Sequence, residues 1–202
     1  MKHIKYLIIL LLISLTALGQ SEKNFWFKEV NWKITLPNNF TLVDSTVDAK
    51  NAEIGSRMLE KAGGKKPDNS KSKTLISAVK GQIANFNIII SKSIAPNLRY
   101  WDSTNNNVIK IFYKSIFNES PSSKFDTVRT KRIIDGLDFK EFQMHIKLND
   151  IVSVHNFYLS RLYDGYTISV NYFYIDEITG EEIKKSLDCS KFLPTLIGTI
   201  ND

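Results

Sequence analysis

The sequence predicts an α+β domain, an antiparallel sheet covered by helices, and three observations carry that prediction. Period-two alternation recurs along the second half of the chain, Asp-Gly and Asn-Asp dipeptides separate the alternating runs, and stretches with helical spacing bracket them. Alternation sends successive side chains to opposite faces of a strand, whereas apolar residues three and four apart share one face of a helix. Hairpin-linked strands with the helices set apart indicate antiparallel α+β architecture rather than alternating parallel units. Composition agrees. The chain has 202 residues, 43% hydrophobic, with 9 Gly, 5 Pro and 1 Cys, which suits one core and excludes disordered, collagen-like and disulfide-scaffold classes.

The elements follow in order. Lys2 and Lys5 precede an unbroken apolar run from Tyr6 to Ile13, and Ala17-Leu18-Gly19 closes it ahead of Gln20. A basic head, an apolar middle and a small-x-small end form a secretory leader, predicting residues 1–19 as signal peptide with the cut between Gly19 and Gln20. The run is too short for a spanning helix, and Gln20 stands where a lipoprotein would need cysteine. The expectation is one domain over 20–202, periplasmic or secreted, without a membrane anchor once the leader is removed.

Trp26, Val30, Trp32, Ile34 and Leu36 alternate onto one expected face, with Asn31 a bend; Pro37-Asn38-Asn39 breaks the run before a short return over Phe40–Val43. Ser45–Ala62 has helical spacing through Ile54, Met58 and Ala62, and Gly63–Ser70 is a breaker-rich loop. Leu75–Val79 and Phe86–Ile94 read as strands joined near Gly81. A helix follows, its start assigned to Asp102, Ser103 or Thr104 as cap. Val108, Ile109, Phe112, Ile116 and Phe117 form its apolar stripe, and Pro121 ends it.

Phe125–Ile134, Phe139–Leu148, Ile151–Leu162 and Tyr166–Ile175 then form a meander turned at Asp135-Gly136, Asn149-Asp150 and Asp164-Gly165, dipeptides that tolerate positive φ. Thr179-x-x-Glu182 has capping-box spacing and predicts a closing helix that buries Ile183 and Leu187.

Ile34-x-Leu36-Pro37-x-x-Phe40, a helix after the second strand pair, and Ile134-Asp135-Gly136-Leu137 before Phe139 and Phe142 together resemble the PsbP-like superfamily, which includes DcrB-like periplasmic proteins. The likeness runs from about Trp26 to Phe192, with Ser45–Lys73 as an insertion. The resemblance implies an α/β/α sandwich and a binding or accessory role without catalysis. It transfers no site residue, because fold does not fix function.

Chemistry is sparse. The net charge of +6 falls by two when Lys2 and Lys5 leave, and arginine occurs only at Arg57, Arg99, Arg129, Arg132 and Arg161. Scattered lysines do not form the one-sided basic face of a nucleic-acid binder. Gly55-Ser56-Arg57 lacks the flanking glycine of a nucleophile elbow, and Gly63-Gly64-Lys65-Lys66 lacks the Ser/Thr of a phosphate loop. The acids at Asp176, Glu177, Glu181 and Glu182 suit a helix N-terminus and lack calcium-loop spacing.

His145 lies four residues before Asn149 and His155 five after Asp150, so a hairpin turned there sets them opposite or nearly so. Zinc needs three or four ligands, and no third is evident; two strand histidines without metal is the expectation, and no cofactor is implied. Cys189 cannot form an internal disulfide. It reads as a buried small hydrophobe, or alternatively as a handle for an intermolecular bridge. Arg99, Tyr100 and Trp101 sit where a strand hands over to a helix; an exposed Trp beside Arg suits partner binding, while the plainer alternative has Trp101 closing the core.

These readings converge on an exported, non-catalytic binding or accessory protein of the bacterial cell envelope. Its partner is an unspecified envelope protein or polymer, not nucleic acid. The alternatives are a periplasmic hydrolase using His145 or His155, and a structural envelope component.

Overall fold

Among the described residues, ten strands form two antiparallel sheets and three helices pack with them. The computed structural model describes residues 23–64, 69–95, 97–119 and 123–194, so the leader with Gly19 and Gln20 lies outside the described residues. The small sheet holds β1 (Asn24–Phe27), β2 (Trp32–Thr35) and β10 (Lys191–Phe192) in the order β1-β2-β10. The large sheet has seven strands in the order β3-β4-β5-β9-β8-β7-β6. They are β3 (Thr41–Leu42), β4 (Ser72–Lys80), β5 (Ala84–Lys92), β6 (Lys124–Ile134), β7 (Leu137–Lys147), β8 (Ser153–Tyr163) and β9 (Tyr166–Tyr174). The helices are α1 (Ser45–Lys61), α2 (Leu98–Glu119) and α3 (Glu177–Asp188).

The alternating runs become strands as expected, and the turns explain why. Asp135-Gly136 and Asp164-Gly165 have φ of 50° and 76°, and of 46° and 75°. That left-handed pair matches the twist of a two-residue hairpin. Ile134 therefore pairs Leu137, and Tyr163 pairs Tyr166. The Asp135 carboxylate also accepts hydrogen bonds from the Phe192 amide at 2.7 Å and from Lys191 Nζ at 2.9 Å, tying this hairpin to β10.

Alternation gives the large sheet two apolar faces. On one, Phe86, Ile88, Phe139, Phe157, Leu159, Ile168, Val170, Tyr172 and Tyr174 pack with Trp32, Ile34 and Leu36 of the small sheet and Ile183 and Leu187 of α3. On the other, Phe142, Met144, Ile146 and Tyr158 meet Ile109, Phe112 and Ile116 of α2. The result is a layered α+β sandwich. The second sheet was not expected: it forms because the chain after α3 returns to β2, where Trp32 Nε1 donates to Ser190 Oγ at 2.9 Å.

Four expectations need correction. Trp26 is half exposed and not on the core face. Residues 28–31 close the hairpin so that Phe27 opposes Trp32 and Trp26 opposes Lys33, which puts Phe25 and Phe27 inward instead. The caps also move. α2 begins at Leu98 with Asn97 Oδ1 accepting from the Tyr100 amide at 2.9 Å, upstream of Asp102. α3 is capped by Asp176, whose Oδ1 accepts from the Thr179 amide at 2.9 Å, so Thr179 lies inside the helix. Cys189 is exposed at the end of α3 rather than buried.

Candidate functional site

The titratable side chains gather where α3 crosses β6, β7, β8 and β9. The β7–β8 turn sets the geometry: Asn149 Oδ1 accepts from the amides of Ile151 at 2.9 Å and Val152 at 2.8 Å. This Asx-type turn fixes the register with His145 opposite His155. The two histidines, expected opposite or nearly so, are directly opposite because the loop spans 148–152. Their Nδ1 atoms lie 2.6 Å apart and their rings are edge-to-face with centroids at 4.8 Å. One ring donates and the other accepts, so a single proton bridges the two nitrogens.

Neighbours hold this pair in place. The His155 ring stacks on Tyr174 at 5.0 Å, and its Nε2 is 3.5 Å from Glu177 Oε1. The His145 ring meets Phe157 edge-on at 6.2 Å. Burial lowers the His155 pKa, aided by the charges of His145 and Lys184 and opposed by Glu177. Burial also raises the Tyr174 pKa. Among the described residues no three His, Cys, Asp or Glu side chains form a group able to hold a metal ion.

Helix α3 is seated by a close approach and two clamps. A Cβ at Gly180 would fall 2.5 Å from Tyr174 Cζ, so the helix backbone rests directly on the ring, and only glycine fits there. Lys80 of β4 reaches Thr179 Oγ1 and Glu182 Oε2, both at 2.9 Å. Arg132 of β6 grips the Asp188 carboxylate with Nη2 at 2.9 and 3.0 Å and Nε at 3.1 Å. Beneath them, burial raises the Glu141 pKa despite the charge of Arg132, and Gln143 Nε2 donates to Glu141 Oε1 at 3.0 Å. The Tyr172 hydroxyl is buried without a hydrogen-bond partner, and burial pushes its pKa far up.

The expected partner site divides. Arg99 and Tyr100 are exposed in the first turn of α2. Trp101 is buried, with Nε1 donating to Thr167 Oγ1 at 2.9 Å and Lys140 Nζ 5.6 Å from its ring centroid. Because the helix starts four residues before Asp102, Trp101 faces the sheet. It closes the core and is not an exposed anchor.

Sequence reasoning missed Gly180, Glu141 and the two clamps. The one available signal was a glycine inside a helical pattern, which often marks a close packing contact.

The fold and this site together define a class, an antiparallel PsbP-like sandwich closed by a helix over a polar floor. No family model matches the chain, and no curated protein matches it by sequence. Among solved structures, cyanobacterial PsbP (CyanoP) from Synechocystis is similar, with 12% identity over 87% of this chain and 95% of that one and a TM-score of 0.54. A variant of the protein Mog1 aligns over 87% of this chain and 98% of that one at 9% identity, with a TM-score of 0.38 that supports no argument. The likeness to CyanoP is one of fold. The chain has a PsbP-like fold, as its sequence resemblance implied. No helix among the described residues is long and apolar enough to cross a membrane.

Proposed function

We propose that this protein is an exported, non-catalytic binding or accessory protein of the bacterial cell envelope, comprising a leader over 1–19 and one domain over 20–202. The observation that carries the reading is the histidine pair. Apart from His3 in the leader, His145 and His155 are the chain's only imidazoles, and each turns its Nδ1 to the other at 2.6 Å. A catalytic histidine must offer one nitrogen to a nucleophile and the other to an orienting group. Here the Nδ1 of each ring is taken by the other imidazole, and the Nε2 of His155 faces the Glu177 carboxylate at 3.5 Å. Among the described residues neither ring has a hydrogen bond to a Ser, Thr or Cys of either strand. The pair is better suited to fixing the β7–β8 hairpin beneath α3.

The test is a panel of nitrophenyl ester, phosphate and glycoside substrates with the wild-type chain and a His145→Asn/His155→Asn variant. The expected result is no turnover above blank for either. Turnover that disappears in the double variant would overturn the binding reading in favour of the hydrolase. Zinc at saturation should leave the thermal midpoint where it was, since a two-ligand set does not make a closed site. Export is tested separately: the protein recovered from the envelope fraction should begin at Gln20, and an intact Leu7–Leu12 would refute the leader.

A further inference from the structure

We propose that the outer edge of β6 is a docking site for an acidic segment of another protein, which binds as an added β-strand and seats one side chain in the cleft between β6 and α2. The inference deepens the binding reading above and rests on it.

The two edges of the seven-stranded sheet differ. One is β3, a strand of two residues (Thr41–Leu42). The other is β6, eleven residues long and exposed at most positions, and no strand among the described residues pairs with its outer side. Short edges are blunted by their length, whereas a long open edge presents a row of unpaired amides and carbonyls. The two-residue turn makes Ile134 and Leu137 the hydrogen-bonded pair, and the register continues without a shift to Lys124. The amides turned away from β7 are therefore those of Phe125, Thr127, Arg129, Lys131 and Ile133.

A cleft lies beside those positions. It measures about 300 Å³ and is lined by Ile109, Lys110, Tyr113, Thr127, Arg129 and Phe142. Its floor is apolar and its rim cationic: the Arg129 guanidinium sits 5.8 Å from the Phe142 ring centroid, and its Nη1 is 3.4 Å from the neutral Asn106 Oδ1. Lys131 lies two residues further along the same face, with Nζ 3.2 Å from the exposed carboxylate of Asp138. No carboxylate lines the cleft.

Charge selects the occupant. Pairing β6 with β6 of a second copy about Thr130, the register that would leave both cleft-side cations within the ladder, sets Arg129 against Lys131, and like charges across strands are destabilising. An acidic strand meets the opposite sign at the same positions. Backbone pairing would supply the affinity, with the cleft and its cations supplying the selection.

The test titrates isotope-labelled full-length protein with two short capped peptides, one alternating Glu and Val, the other Lys and Val. The Glu-Val peptide should shift the amides of Thr127, Arg129 and Lys131 and bind roughly ten-fold or more tightly than its counterpart, weakening as salt rises. Lys131→Pro removes one outward amide and leaves the β6–β7 ladder intact; it should abolish binding at an unchanged thermal midpoint. Arg129→Glu with Lys131→Glu should reverse the preference. Equal binding of both peptides, shifts mapping elsewhere, or indifference to Lys131→Pro would overturn the proposal. So would a peptide-free dimer that Lys131→Pro dissociates, which assigns the edge to a second copy. None of these outcomes depends on turnover, so failure here and failure of the binding reading are distinguishable.

Discussion

Helices α1 and α3 are held by opposite means, and the longer is held less. α1 has 17 residues, yet Val47 and Ile54 are exposed and Ser56 is its buried contact among the described side chains. Exposed Ala49, Ala52 and Glu53 and buried Ser56 line a groove of about 500 Å³ together with Ser72, Thr74 and Ile89. α3 has 12 residues and buries Thr179, Gly180, Ile183, Ser186 and Leu187. Its backbone lies against Tyr174, and Lys80 and Arg132 clamp it from two strands. Helix stability in proteins comes chiefly from the packed face rather than from length. The contrast places the rigid element over the histidines and the loosely seated one over the far half of the sheet.

Substitutions can break that contrast. The largest effect belongs to Gly180→Ala. Its added carbon would lie 2.5 Å from the Tyr174 ring, and overpacking of this kind costs about 2–3 kcal/mol in urea unfolding. A loss below about 1 kcal/mol would mean that α3 is not seated through the ring. Next, Arg132→Met removes the grip on Asp188. Because that carboxylate is 54% exposed, the expected loss is only about 1 kcal/mol.

Gly55→Ala in α1 should do the reverse. Nothing lies within 4 Å of its Cβ position, so the substitution adds about 0.5–1 kcal/mol of stability by restricting the unfolded chain. The same chemical change thus destabilises one helix and stabilises the other.

The smallest effect is that of pH, and it acts on the α3 side. The pKa of His155 is lowered from 6.5 in the folded state, so the unfolded chain takes up the proton first as pH falls. Above 6.5 both states are neutral there and the full contribution is present. Below it stability declines until the folded pKa is passed. Urea midpoints measured downward from pH 7.5 should fall accordingly, and His155→Gln should flatten that slope.

Much of this was legible along the chain. Asp135-Gly136 and Asp164-Gly165 announce their hairpins because few other residues accept φ near 50° twice in succession. From the Asn149-Asp150 turn, counting brings His145 within one residue of His155; the wider loop over 148–152, with Lys147 pairing Ser153, is what sets them directly opposite. Trp26 shows where counting fails: the four residues from Lys28 to Asn31 reset the phase of alternation, and nothing local states how many a turn will consume. Trp101 fails for a related reason. The helix began at Leu98 because Asn97 capped it, whereas Asp102, Ser103 and Thr104 offered competing caps of equal chemistry. Cys189 is small enough for a core position but ends a helix at the surface.

What the amino-acid order determined by itself was local: which segments are strands, where they turn, and which side chains share a face, since backbone sterics and periodicity act over a few residues. Tertiary structure alone decided that β10 would return to β2, that Gly180 would carry a helix onto Tyr174, and that β6 would be left with an open edge. The first depends on segments about 158 residues apart meeting in space, the last on no strand among the described residues reaching the outer side of β6, and the seating of Gly180 on how deeply a short helix settles once Lys80 and Arg132 have closed on it. Such encounters are set by packing against the whole sheet, which no window of sequence contains.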